Sequence, residues 1–357
     1  MTGSIDRADG GVGPGTGPAG VPAAIALTPI LSARYRVRDL DAIRAAAPGS
    51  RLVTVSFDGH PDGPLDDVEV MLRGHLPAEV FDRILARAPR LRWVHSATAG
   101  VERVLTPASR DRELAITNAR GVFSRPIAEY VVMMMLSVSR RLPELLELQQ
   151  ERTWQPLEAR ELRDVTVGIV GLGSIGRAVG ALATAFGCRV IATRRRPEAG
   201  TAAPDGGGDD PYLGSAMLDR VLPPERLEEL LAESDFVVLA APLTAETVGL
   251  IGETSIAAMK PGAWVINVAR GELVDERALT RALREGRLGG AVLDTFRDEP
   301  LPPSSPLYDT PNVIITPHTS WSSTRVLDRS VELFCDNLRR FATGAPLVNL
   351  VDPNAGY

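Results

Sequence analysis

Apolar and polar residues fall in blocks along this chain, with short β-branched runs of strand length separated by longer stretches of helical spacing. The most informative block spans residues 165–196. An apolar run at 165–170 leads into Gly171, Gly173 and Gly176, an alanine-rich segment follows at 178–186, and a second apolar run ends at Ala192. Strand, tight glycine turn, helix, strand is a βαβ order. Upstream, runs at 51–56, 68–72, 91–95 and 114–116 predict strands, and 40–47 and 78–88 predict helices, the second ending before Pro89, which cannot continue it. From Pro126, a good first-turn residue, helical spacing predicts one long helix to about residue 150, apolar nearly all round over 127–136. One face of it is expected on a core and another on a partner subunit or domain.

Downstream the alternation continues. A helix at 224–233 feeds a strand at 236–241, a Pro261–Gly262 turn precedes a buried strand at 264–268, a helix at 275–285 follows, and strands at 290–293 and 312–315 close the set. A last helix at about 323–343, with Gly344 as its C-cap, is expected to return the chain to the first domain. The pattern predicts an α/β chain, with a compact first domain and then a doubly wound parallel sheet.

Composition narrows the class. At 357 residues the chain suggests two domains. A formal net charge of −6 gives no case for a nucleic-acid surface. Cys188 and Cys335 have neither metal-ligand spacing nor a disulfide framework, so no metal and a reducing cytoplasm are expected. No secretory leader and no bilayer-length apolar stretch is present, so no membrane partner is expected. Residues 1–23 are rich in Gly and Pro and are expected to form a disordered tail; 197–214 reads as a surface excursion of low order.

The glycines suit a dinucleotide. Gly171 gives the tight turn, Gly173 close approach to a pyrophosphate, and Gly176 close helix–strand packing, with phosphates on the helix N-terminus. Ligands of open α/β sheets bind outside the carboxyl ends of the strands, and that edge gathers Arg270, Glu299 and His318; taken singly they read equally as a surface ion-pair residue, a turn carboxylate before Pro300 and an ordinary loop side chain, and their convergence on one edge favours a site. Of the four histidines, only His318 follows a strand of the second domain. Histidine can give a proton to a carbonyl oxygen near neutral pH, a carboxylate beside it favours its protonated form, and the planar fork of arginine suits a carboxylate. Asp294 ends a buried strand, where an acid is unusual unless paired; it either receives a nicotinamide carboxamide or caps the next turn. The small residues Thr98, Ala99 and Gly100 either grip a carboxylate through backbone N–H groups or form an ordinary turn.

Beyond the tail, the chain resembles the D-isomer-specific 2-hydroxyacid dehydrogenase family. The resemblance rests on the glycine turn and on the segments LAAPLTAETVGLI, MKPGAWVINVARGELVDERAL, GGAVLDTFRDEPLPPSSPLY and NVIITPH, in that order. It implies two Rossmann-like or flavodoxin-like domains with the active site in the cleft between them. The substrate domain would be built from 24–123 plus 325–357, and the NAD(P)-binding domain from 124–324. It implies reduction of a 2-keto acid to a D-2-hydroxy acid, with Arg270 on the substrate carboxylate, Glu299 paired with His318, and His318 as the acid/base. It places Thr98, Ala99 and Gly100 on the substrate carboxylate. On the cofactor it places Ser174 and Ile175 over the pyrophosphate, Ala241 and Pro242 near the adenosine, Val268 and Ala269 near the nicotinamide, and Asp294 on the carboxamide. A homodimer through the cofactor domain, involving the helix from Pro126, is also implied; Trp154 either anchors that interface or packs on its own domain.

Three departures from the family pattern stand out. Where NAD-specific members end the second strand in an acid, this chain has Thr193 followed by Arg194, Arg195 and Arg196, which suits the 2′-phosphate of NADP over NAD. Glu102 replaces the usual aspartate after Gly100 and Val101, with no specificity drawn from it. Trp321 follows His318 by three residues, a placement similar to that in the corepressors called C-terminal binding proteins. It either walls the pocket, favouring an apolar 2-keto acid over glyoxylate, or packs outside it. The alternatives are a 3-phosphoglycerate or erythronate-type dehydrogenase and, from a different class, a nucleotide-sensing interaction protein like those corepressors.

Overall fold

The computed structural model describes residues 20–30, 35–195 and 218–353. The expected tail up to residue 19, the excursion at 197–214 and Arg196 lie outside them. Residues 22 and 23 are already tied to the fold, Pro22 O accepting from Ser50 Oγ and Ala23 N donating to Glu69 Oε1 at 3.0 Å. The chain divides into two compact units, one running up to Ala119 and resuming at Leu327, the other Arg120–Val326.

The first unit is a five-stranded parallel sheet of β1 (Ala24–Leu27), β2 (Arg51–Thr54), β3 (Val68–Arg73), β4 (Trp93–Ser96) and β5 (Ala115–Thr117), in the order β2-β1-β3-β4-β5. Its helices are α1 (Val37–Ala46), α2 (Ala78–Arg87) and the short α3 (Pro107–Asp111). The two-residue period of a strand divides β1 between two cores. Ala24 and Ala26 face the cluster holding Val80, Phe81, Ile84 and Leu85 of α2; Ile25 and Leu27 face the cluster holding Ile43 of α1. The C-terminal helix, Val326–Thr343, packs into that second cluster through Val331, Phe334, Cys335, Leu338 and Phe341, a one-face stripe. Phe334 and Phe341 both stack on Trp93 with ring centroids 5.4 Å apart. Gly344 ends the helix at φ 71°, with Gly344 N bonded to Phe341 O and Ala345 N to Arg340 O.

The second unit holds β6 (Thr166–Val170), β7 (Arg189–Thr193), β8 (Arg220–Leu222), β9 (Phe236–Leu239), β10 (Trp264–Asn267), β11 (Gly290–Leu293) and β12 (Val313–Ile315). All pairs are parallel, in the order β12-β11-β10-β9-β6-β7-β8. β6, β9 and β11 are buried along their whole length, as a sheet covered on both faces requires. The chain winds outward from β6 through β7 to β8, then returns to the far side of β6 and winds the other way from β9. The reversal point at β6/β9 is where such sheets hold their ligands.

Two expectations need correction here. The long helix from Pro126 is two helices, α4 (Ser124–Ser139) and α5 (Leu142–Gln150), with Arg141 between them at φ 57°. Pro143 has no N–H and its ring would clash with the preceding turn, so it is tolerated only in a first turn, which forces the break. The helix at 224–233 opens as a tight 3₁₀ turn, Pro224–Arg226, before α7 (Leu227–Glu233). The remaining helices are α6 (Ser174–Ala185), α8 (Glu253–Ala258) and α9 (Glu276–Arg284).

Candidate active site

In the second unit, β6 ends in the glycine turn. Gly171 has φ 98°, and a Cβ there would lie 2.7 Å from the Ala241 backbone. At Gly176 a Cβ would collide with the Gly171 carbonyl oxygen, so α6 sits tight against the turn. At Gly173 a Cβ would meet nothing of the protein within 4 Å. The first and third glycines are thus required by the fold, while the middle one leaves open space at the N-terminus of a 12-residue helix. That opening and the N–H groups behind it fit a pyrophosphate. Ser174 and Ile175 are half-buried in the first turn, Ala241 is half-buried, and Pro242 is exposed.

Thr193 closes the turn from the neighbouring strand. Its Oγ1 accepts from Gly171 N at 3.3 Å and its carbonyl from Leu172 N at 3.0 Å. Arg194 is half-buried and Arg195 exposed. Arg177, one turn into α6, is only 4 % exposed, and burial, then the charges of Arg194 and Arg120, hold its pKa below the ordinary arginine value. The end of β7 is therefore a positive neighbourhood.

At the carboxyl ends of β10, β11 and β12 the structure brings Arg270, Glu299 and His318 together. Asn267, the last residue of β10, shapes the Arg270 turn: its Nδ2 donates to Arg270 O at 2.8 Å and its Oδ1 accepts from Ala269 N at 3.1 Å. Val268 and Ala269 are buried, and Arg270 Nη1 donates to Ala269 O at 2.8 Å. The backbone of Phe296 and Arg297 lies so close to Gly271 that no Cβ would fit, which draws the 296–299 turn against the Arg270 turn. Glu299 accepts from Phe296 N at 3.0 Å through Oε1, and its Oε2 is 2.8 Å from His318 Nδ1. Burial pushes the Glu299 pKa up, but the His318 and Phe296 hydrogen bonds and the charges of His318 and Arg270 outweigh it, so the carboxyl stays below its ordinary value. An ionised Glu299 makes Nδ1 the donor and leaves Nε2 as the ring atom that can exchange a proton.

His318 lies in the left-handed backbone region, φ 50°, where non-glycine residues are rare and strained. Asp294, fully buried at the end of β11, holds this turn. Its Oδ1 accepts from Thr316 Oγ1 at 2.6 Å and Thr319 N at 2.8 Å, and its Oδ2 from Ser320 N at 2.9 Å. These are the bonds of a cap on the next turn, one of the two roles expected for Asp294. Trp321 is half-buried and its Nε1 donates to His318 O at 2.6 Å, a second clamp on the same turn.

In the first unit, the 98–100 loop has its carbonyls occupied. Thr98 O accepts from Ala119 N, Ala99 O from Asn118 Nδ2 and Gly100 O from Thr98 Oγ1, at 2.7–3.0 Å. Among the described residues, the N–H groups of 98–100 have no acceptor, and the loop is half-buried, so the donors are left for a ligand. Arg73, 2 % exposed, braces the region by donating to the carbonyls of Gly74, Leu76 and Arg103. Sequence reasoning missed Arg73 and Asn118, which carry no motif, and gave no role to Asn267 and Thr316, which lie inside the segments that carry the resemblance. Among the described residues no group of three or more His, Cys, Asp or Glu could hold a metal ion, and no helix is long and apolar enough to cross a membrane.

Comparison with known proteins adds names to this geometry. A family model described as "D-isomer specific 2-hydroxyacid dehydrogenase, NAD binding domain" matches residues 132–320. A glyoxylate reductase of Korarchaeum cryptofilum is 33 % identical over 322 residues, 88 % of this chain and 90 % of that one. The D-isomer specific 2-hydroxyacid dehydrogenase of Xanthobacter autotrophicus Py2, solved with NADPH and MES, matches with TM-score 0.77 and 32 % identity over 94 % of this chain and 100 % of that one. An NADPH-dependent glyoxylate/hydroxypyruvate reductase of Sinorhizobium meliloti, solved with NADP and sulfate, matches with TM-score 0.75 and 27 % identity over 94 % of this chain and 100 % of that one.

Proposed function

This chain belongs to the D-isomer specific 2-hydroxyacid dehydrogenase family and is an NAD(P)-dependent oxidoreductase of 2-hydroxy acids; from that premise we propose that it reduces a 2-keto acid to a D-2-hydroxy acid, with NADPH as hydride donor and His318 as proton donor. The observation that carries the reading is the 2.8 Å contact of His318 Nδ1 with Glu299 Oε2, within electrostatic reach of Arg270.

The residues divide the work as follows. Glu299 holds Nδ1 and fixes the ring, so Nε2 delivers a proton to the keto oxygen as negative charge develops there. Arg270 grips the substrate carboxylate and polarises the carbonyl. The nicotinamide, when bound, supplies the hydride. Gly171, Gly173, Ser174, Ile175 and Gly176 hold the pyrophosphate; Ala241, Pro242, Val268 and Ala269 line the rest of the dinucleotide, with Asp294 near the carboxamide. Thr193 offers no carboxylate to repel a 2′-phosphate, and Arg194 and Arg195 attract one, which favours NADPH over NADH. Trp321, fixed beside His318, is assigned to the substrate side, where its ring favours an apolar side chain over glyoxylate.

A homodimer through the second unit is also proposed. Met133, Leu142, Leu145 and Leu146 are 40–49 % exposed and Trp154 is 98 % exposed, more apolar surface on one segment than a solvated arm would carry.

The test is oxidation of NADPH and NADH in parallel against glyoxylate, hydroxypyruvate, pyruvate, 3-phosphohydroxypyruvate and branched or aromatic 2-keto acids. Turnover with NADPH and at least one of these is expected, with His318→Gln lowering kcat by at least about a thousandfold while NADPH still binds. No turnover with any member of the panel sinks the enzymatic reading of the substrate. An unchanged substrate ranking in Trp321→Ala removes the tryptophan from specificity.

A further inference from the structure

Asp294 does not hold the His318 turn alone. Thr316 has one hydroxyl proton, and it is donated to Asp294 Oδ1 at 2.6 Å. Tyr130 Oη lies 2.6 Å from the same Thr316 Oγ1, so in that contact the tyrosine must be the donor. Burial, then the nearby Asp294 charge, push the Tyr130 phenol up to about 12 against the effect of its bond to Thr316, which keeps it protonated and able to donate. The result is a one-way chain: Tyr130 O–H to Thr316 O–H to the buried Asp294 carboxylate, which in turn takes the N–H groups of Thr319 and Ser320 immediately after His318. It links α4 to a histidine whose backbone sits at φ 50° and whose ring is held by Glu299.

We propose that Tyr130 and Thr316 are positioning residues for His318, fixing through Asp294 the strained turn that aims its imidazole. The proposal rests on the reading of His318 as the acid/base. Asp294 has to hold one orientation to serve both N–H groups, and the Thr316 hydroxyl is the side-chain bond that selects it. Without the tyrosine donor, the Thr316 hydroxyl is freer to rotate away, and the turn relaxes toward the ordinary backbone region. The loss falls on kcat, because a misaimed ring reaches the keto oxygen less often while substrate and cofactor still bind.

The test uses the full chain with Tyr130→Phe, Thr316→Val and Thr316→Ser. Tyr130→Phe and Thr316→Val are expected to lower kcat by about five- to tenfold, with the dissociation constant for NADPH within about twofold of the parent; Thr316→Ser, which keeps the hydroxyl, stays within about twofold in kcat. A second readout needs no turnover. With four histidines in the chain, the side-chain NMR signals of His318 are assignable by their loss in His318→Gln. They are expected to shift or broaden in Tyr130→Phe and Thr316→Val and to match the parent in Thr316→Ser. Parent-like kcat and parent-like His318 signals in Tyr130→Phe overturn the proposal, even if that variant melts earlier. Equal loss in Thr316→Ser and Thr316→Val overturns it too. Should the parent reduce no 2-keto acid, the proposed function fails while the His318 signals still decide the positioning. If Thr316→Val does not fold, Tyr130→Phe decides alone, since it removes one oxygen from a half-buried helix residue.

Discussion

His318, Arg270 and Glu299 were legible in the sequence because they follow β12, β10 and β11, whose ends the doubly wound order puts together, and because they sit in segments that carry the family resemblance. Thr316, Tyr130 and Asn267 were not, because a helix tyrosine and strand-end Thr or Asn read as packing or capping residues, and the Tyr130–Thr316 contact spans 186 positions. Thr193 lies between these cases. Its lack of charge was readable, but its bond to Gly171 N was not, and that bond gives it a second duty in shaping the phosphate turn. A residue that carries both a shape and a charge role can be tested by changing only the charge. Thr193→Asp keeps an oxygen for Gly171 N and adds an acid that can take ribose hydroxyls but repels a 2′-phosphate. The ratio of kcat/KM for NADPH over NADH is expected to fall by about tenfold or more, measured with the same keto acid. A ratio that does not move removes the end of β7 from cofactor choice.

Among the elements, legibility did not follow length alone: the three-residue β5 and β12 were read, β1 and β8 were not, and the longest helical run was read as one helix where there are two. The stripe of the C-terminal helix shows in the sequence because five core positions recur at helical spacing. β1, four residues of small and medium apolar side chains, and β8, three residues long, give periodicity too little to work on. The Arg140–Arg141 break was signalled by Pro143 but overridden by the apolar run on either side. β4 carries a consequence of its own. His95 is fully buried on it, its Nδ1 2.7 Å from Thr117 Oγ1 of β5, and burial pulls its pKa from 6.5 down to about 3. In the folded chain the ring stays neutral where the unfolded chain would protonate it. Stability from this residue is therefore intact above about pH 6.5 and is lost as pH falls from there toward 3, by up to about 1.4 kcal/mol per pH unit. Denaturant unfolding of parent and His95→Asn between pH 7 and 4 is expected to show a shallower loss in the variant; parallel curves would mean that His95 is protonated in the fold.

At the scale of the whole molecule, α5 and the segment from it up to β6 form an arm with no cover of its own. α5 buries none of its residues, yet it carries Leu142, Leu145 and Leu146, and the extended segment after it holds Trp154 almost wholly in solvent. A helix with an apolar face and no core beneath it gains nothing from tertiary burial, and a nine-residue helix is too short to persist on propensity alone. Its stability is better explained by a second copy of the chain, since a two-fold arrangement lets the same apolar surface serve both partners. The prediction is a dimer in sedimentation at micromolar concentration. Leu146→Arg together with Trp154→Arg places charge on that surface without touching either core, and is expected to shift the protein to monomer and to reduce helical signal as α5 frays. Two other results would sink the assignment: a monomeric parent, or a double variant that stays dimeric.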